Sequence, residues 1–147
     1  MKFKLNIAPE CEETVVATVH ARSALIDRIE QLVLQDQGDD RIPAYTEDDL
    51  LMLKFSDIQL IRTQEGKTFA VDGKGSQYRL KMRLYELEER LPSCFIRINK
   101  SALANERYLL RFTAAFSGAV DAVFHSGVTE YVSRRCYADI KRRYSKK

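Results

Sequence analysis

Cysteine and histidine are too scarce and too scattered in this chain to support the usual metal or disulfide chemistry. The 147 residues hold three cysteines, Cys11, Cys94 and Cys136, and two histidines, His20 and His125. An odd, dispersed set of thiols argues against a disulfide framework and for a reducing, cytoplasmic setting. It also excludes a four-thiolate zinc site within one chain, and neither histidine lies near a cysteine pair. No metal and no cofactor are expected. Long apolar runs are missing as well. Nothing approaches the ~20 residues needed to span a bilayer, and the opening MKFKLNIAPECEE lacks the apolar core of a signal peptide.

Catalytic patterns are equally thin. Glu86, Glu88 and Glu89 crowd one short segment, but that is ordinary solvated helix surface, without the pocket that paired catalytic carboxylates need. Asp72-Gly73-Lys74-Gly75-Ser76 faintly resembles a phosphate-cradling loop, yet it lacks the Walker spacing and a following helix, so it reads as a hairpin turn. Ser101, Cys94 and Cys136 have no base adjacent in sequence, and a buried structural thiol is the better reading of both cysteines. The chain does not read as an enzyme.

What the chain does have is an uneven charge. Residues 1–55 carry six Lys/Arg against eleven Asp/Glu, a net −5, and residues 56–147 carry eighteen against ten, a net +8. Such a division fits a protein whose C-terminal part meets a polyanion while its N-terminal part meets something else. The basic residues are concentrated. Arg97, Lys100, Arg107 and Arg111 fall within fifteen residues, and Arg134, Arg135, Lys141, Arg142, Arg143, Lys146 and Lys147 close the chain, opposed only by Asp139. Lys and Arg neutralise phosphates and release counterions, and Arg can also read guanine through two hydrogen bonds. No pair of aromatic strands of the RNA-recognition type accompanies them.

Hydrophobic periodicity divides the chain into many short elements. Residues 2–7 alternate and residues 14–20 are rich in β-branched side chains, so both are expected as strands. Residues 22–34 switch to helical spacing, with Leu25, Ile29, Leu32 and Val33 on one stripe, Ile26 beside it, and Ser23 as N-cap. After a polar connector at 35–41, strands are expected at 42–46, 50–55, 58–64, 67–72 and 76–81, separated by turn residues such as Glu65-Gly66 and Asp72-Gly73. Residues 83–91 read as a helix closed by Pro92. Strands follow at 95–98, 105–112, 119–124 and 128–132, with 99–104 as a loop or single turn. A last helix starts behind Ser133. The expected organisation is a small strand–strand–helix extension over 1–41 and a mainly β domain over 42–147.

Residues 83–112, RLYELEERLPSCFIRINKSALANERYLLRF, resemble the core of the LytTR DNA-binding domain family. The resemblance rests on Leu91-Pro92 at a helix end, the strand Phe95-Ile96-Arg97-Ile98, the basic segment Asn99-Lys100-Ser101, and the step Ala104-Asn105. Val132-Ser133-Arg134-Arg135 looks like the family's closing motif, and the similarity extends over about residues 42–147. It implies short antiparallel sheets that bind double-stranded DNA through loops rather than a recognition helix. Two loops enter successive major grooves of tandem direct repeats, occupied by two protomers or a homodimer. Carried over by position, Asn99, Lys100 and Ser101 supply one groove, Arg134 and Arg135 the other, and Lys67 or Thr68 a third contact. Lys100 and Thr68 depart from the family's usual residue types at such positions, so base preference does not carry over. Arg97 fits either DNA contact or a structural ion pair, and Asn105 fits a turn. Lys141, Arg142 and Arg143 are phosphate contacts or solvated surface.

The resemblance is to short, stand-alone members, because the residues before the matching region are too few for a receiver domain. Such members tend to be restrained by a small integral-membrane protein. The acidic N-terminal extension offers a surface for that partner or for self-association, or simply completes the fold. The function expected is a cytoplasmic, sequence-specific transcription regulator. The alternative is a protein-interaction module on the same scaffold that works through its acidic extension with only weak DNA binding.

Overall fold

Alternating and doubly apolar strands have to be covered on one or both faces, and here both coverings occur. The computed structural model describes residues 1–36 and 40–145. Its elements are α1 (Ala24–Asp36), β1 (Arg41–Tyr45), β2 (Leu50–Lys54), β3 (Ile58–Gln64), β4 (Lys67–Asp72), β5 (Gln77–Leu80), α2 (Leu84–Arg90), β6 (Phe95–Asn99), β7 (Ala102–Asn105), β8 (Leu109–Ala114), β9 (Val120–Phe124), β10 (Thr129–Val132) and α3 (Arg134–Ser145). A seven-stranded sheet runs β2-β1-β5-β4-β3-β7-β6, a three-stranded sheet runs β10-β9-β8, and neighbouring strands are antiparallel.

Neighbouring residues of the inner strand β3 point to opposite faces, and each face has its own core. Ile61 joins Ile42, Leu80, Leu103 and the α2 residues Leu84 and Leu87 on one side. Leu60 joins Ile96, Ile98, Phe124, Val132 and the α3 residue Ile140 on the other. The helix α2 therefore covers one face, and the small sheet with α3 covers the second. Gln59, fully buried, stitches the layers together. Its amide donates to the Asp72 carbonyl at 2.6 Å and its oxygen accepts from the Ser126 hydroxyl at 2.8 Å.

The mainly β architecture and most of its boundaries match the sequence expectation. Two differences have clear causes. Residues 102–104, expected in a loop, form with Asn105 the strand β7, an inner strand of four buried residues. The sequence Ala-Leu-Ala-Asn is short, weak in β propensity and apolar on both faces, so only its two neighbours in the sheet make it a strand. Residues 105–112, expected as one strand, begin with a 3₁₀ turn at Glu106–Tyr108 because the Asn105 side chain accepts from the Arg107 amide at 3.1 Å. Asn105 thus holds a turn, as anticipated, while its amide also donates to the Ile58 carbonyl at 2.8 Å.

The N-terminal extension differs more. The helix α1 forms, with Ser23 accepting from the Ile26 amide at 3.4 Å. The strands expected at 2–7 and 14–20 do not. These residues pair with no strand and lie exposed. Two strands alone cannot bury enough surface to hold together in water. The connector expected at 35–41 has its residues 37–39 outside the described set, and so are Lys146 and Lys147 at the end of the basic tail.

Candidate nucleic-acid interface

Three connections meet along one end of the sheets. The first is the β3–β4 hairpin, a two-residue turn in which Glu65 and Gly66 both take positive φ, 51° and 77°. That geometry follows the twist of the strands and makes Gly66 the natural residue. The second is the β6–β7 turn. Its Asn99 side chain accepts from the Ser101 amide at 2.7 Å and donates to the Tyr131 carbonyl at 2.7 Å. The third is the β10–α3 junction, where the Ser133 hydroxyl caps the helix by accepting from the Cys136 amide at 3.2 Å.

Backbone bonds fasten these three side by side. The Thr63 amide donates to the Ser101 carbonyl at 2.8 Å, tying the hairpin to the β6–β7 turn. The Ser133 amide donates to the Ile98 carbonyl at 2.9 Å, tying the same turn to the start of α3. Beneath them Arg97 forms an ion pair with Glu88 of α2 and donates to the Lys100 carbonyl at 2.8 Å. Arg97 is thus half-buried and engaged with its own protein.

The sequence-selected residues divide sharply in this setting. Lys67, Lys100, Arg134 and Arg135 are exposed, and among the described residues none forms an ion pair or side-chain hydrogen bond. Thr68 and Asn99 are buried, at 7% exposure each, and Ser101 is half-buried with its backbone engaged on both sides. On α3, Lys141 lies over the Tyr137 ring with Nζ 5.1 Å from its centre, and Arg142 pairs with Asp139. Arg143 reaches Glu106 and the Ser93 carbonyl, which pins the helix to the body. Tyr144 nearby has its hydroxyl pKa pushed up to about 12, by burial first and then by the Glu106 carboxylate.

The electrostatics at the start of α3 are unusual. A helix N-terminus is already the positive end of its dipole and favours acidic side chains. The first turn of α3 holds no acidic residue and instead begins Arg134-Arg135. The arrangement costs helix stability and concentrates positive potential where an anion would be held by backbone N–H groups. Behind this end, an open groove of about 1180 Å³ runs between β6 and α3, with Lys100, Arg135 and Arg142 on its walls and Tyr131 half exposed.

Two residues of this region were not singled out from sequence. Arg62 on β3 is half-buried, with a buried Nε that has no hydrogen-bond partner among the described residues. Glu130 on β10 has its carboxyl pKa raised by burial, an effect that the nearby Arg62 charge opposes. The one cation in the strand-like run Ile58–Gln64 was the available signal for Arg62. The cysteines fit the structural reading. Cys94 is buried, its thiol pKa raised by burial, and Cys136 is half-buried beside the second core.

Similarity to known proteins agrees with this geometry. The model of the LytTr DNA-binding domain matches residues 48–145. The chain belongs to the LytTR family of DNA-binding domains. Its fold is similar to the LytTr DNA-binding domain of a Bacillus cereus protein described as a methyl-accepting/DNA response regulator. The TM-score is 0.67 at 18% identity, with 73% of this chain and 98% of that one covered. Along nearly its whole length the chain also resembles proteins called uncharacterised HTH-type transcriptional regulators in Staphylococcus aureus. Identity is 27% with that of strain MW2 and 28% with that of strain COL, each covering 97% of this chain and 99% of the relative. Despite that name, no two of the three helices described in this LytTR chain are consecutive, so no helix–turn–helix is present among the described residues. Among them, too, no helix is long and apolar enough to cross a membrane.

Proposed function

We propose that this LytTR protein is a transcription regulator that reads double-stranded DNA sequence through the three-loop edge. The observation that carries the reading is the edge itself: three connections locked together by backbone hydrogen bonds, presenting Lys67, Lys100, Arg134 and Arg135 without ion-pair or hydrogen-bond partners for their side chains among the described residues. A cation that gains nothing from its own protein is available to a polyanion, and a rigid backbone aims it without an ordering cost on binding.

Lys100 enters one major groove from the β6–β7 turn, and Arg134, with Arg135 beside it, enters the next from the start of α3. Lys67 at the β3–β4 hairpin supplies a further contact. Asn99, Ser101 and Thr68 hold these tips in place, and Arg97 acts as a positioning residue through the Lys100 carbonyl. Lys141 and Arg142 lie along the flank where phosphates would pass. Two protomers occupy tandem direct repeats, one edge to each.

A mobility-shift titration over a panel of promoter duplexes at two salt concentrations tests this. Shifts confined to particular duplexes and persisting near physiological salt are expected. Equal, salt-labile shifts on every duplex would reject sequence reading and favour a module that works through protein contacts.

A further inference from the structure

The N-terminal 33 residues carry apolar surface that the monomer does not bury. Phe3 is 90% exposed, Ile7 84% and Val16 83%. The helix α1 has no buried residue, and the stripe that marks it as amphipathic is open at Leu25, Leu32 and Val33. The helix is nonetheless fixed to the body by polar contacts. Ser93 donates from its amide and its hydroxyl to the Glu30 carboxylate at 3.1 and 2.7 Å, and Arg22 donates to the Ser93 hydroxyl at 2.8 Å. So a helix fastened to the body at Glu30, with Ile26, Ile29 and Leu34 half-buried, leaves Leu25, Leu32 and Val33 facing outward, and the two strand-forming segments before it pair with no strand among the described residues.

The segment 14–20 complements itself. Run antiparallel to a second copy about Ala17, it sets Val15 opposite Val19, Val16 opposite Thr18 and Thr14 opposite His20. β-branched pairs facing each other across strands stabilise a ladder. The turn at residues 8–11, closed by the Cys11 amide donating to the Ala8 carbonyl at 3.1 Å, lets residues 2–7 return as an outer strand. One copy supplies two strands, too few to persist alone. Two copies supply four, with an apolar face, which is enough. A stable interface takes roughly 20–30 residues a side, and the first 33 residues, mostly exposed, supply that number.

We propose that these residues form the interface of a two-fold dimer, in which segments 14–20 of two copies pair antiparallel and the α1 stripes close beneath them. The proposal is independent of DNA reading. By symmetry such a dimer points its two reading edges in opposite senses, so on direct repeats each dimer engages one repeat with one edge.

Sedimentation of the full chain without DNA tests the proposal, with circular dichroism to confirm folding. The parent should sediment at twice its 17.0 kDa chain mass. Val16→Asp and Leu32→Asp, both at sites exposed in the monomer, should each give folded monomer. Ala17→Cys in a Cys11→Ser background should cross-link the dimer on mild oxidation, while Cys11→Ser alone should not. A parent that stays monomeric at its highest soluble concentration overturns the proposal, whatever else the arm then binds. Dimers unaffected by either aspartate variant also overturn it, because the contact must then lie elsewhere. A dimer that fails to cross-link at Ala17→Cys overturns the strand pairing.

Discussion

The Asn99 amide donates to the Tyr131 carbonyl at 2.7 Å and so joins the β6–β7 turn to strand β10. The same side chain accepts from the Ser101 amide at 2.7 Å. One buried asparagine therefore sets the spacing between the tip that carries Lys100 and the junction that carries Arg134. Asn99→Ala leaves two backbone groups without this partner, at a cost of ~1–3 kcal/mol in stability. It should also weaken DNA binding without removing a DNA contact. Asn99→Asp keeps the bond to Ser101 and loses the one to Tyr131. If spacing is what matters, a binding titration will show Asn99→Asp impaired while the fold is kept.

Lys100→Ala and Arg134→Ala should fold as the parent does, since both side chains are exposed and form no ion pair or side-chain hydrogen bond among the described residues. Each should lose ~1–3 kcal/mol of binding to a specific duplex where it reads a base. Lys67→Ala, if its contact is to a phosphate, should instead weaken all duplexes alike and lower the slope of log K against log salt by about one. Anisotropy titrations across a salt series separate the two kinds of loss.

Gln59 is the test of the fold rather than of the site. Its side chain is fully buried and bonded to both the Asp72 carbonyl and the Ser126 hydroxyl. Gln59→Leu keeps the volume but removes both bonds between the layers, at ~0.5–1.5 kcal/mol for each, since the Asp72 carbonyl keeps the Gly75 amide and the exposed Ser126 hydroxyl meets water. A denaturant midpoint shifted down with an unchanged slope is the expected reading. An unchanged midpoint would mean that the two sheets do not depend on this bridge.

Glu130 gives a pH signature. Its carboxyl pKa is raised in the folded protein, with burial the main cause. A folded pKa above the unfolded one means that the group favours the fold when protonated. This contribution is fully present below the unfolded pKa and is lost as pH rises through the folded pKa. Glu130→Gln should therefore be more stable than the parent at neutral pH, and the gap should close on acidification through the carboxylate range. Paired thermal melts across that range check the sign. A gap that widens on acidification would show that attraction to Arg62 outweighs burial.

The β domain was legible wherever a turn residue separated alternating runs. Glu65-Gly66 and the hairpin on either side of it fall where the sequence places them. Strand β7 was not legible, because Ala-Leu-Ala-Asn takes its identity from β3 and β6 rather than from its own pattern. The segments 2–7 and 14–20 carry the strand signal clearly, yet among the described residues no strand pairs with them. At the site, residue types and loop positions were readable but accessibility was not. Asn99 and Thr68 share the polarity of groove readers, and only the packing around them shows that they are buried. Arg97 was open to two readings until its partners, Glu88 and the Lys100 carbonyl, were visible.

The most direct test of the reading edge is selection from a pool of random duplexes by the parent and by a variant carrying both Lys100→Ala and Arg134→Ala. The parent should enrich a repeated motif, and the folded double variant should lose preference at the blocks that those two loops meet. Enrichment of the same motif to the same extent by both proteins would contradict the account.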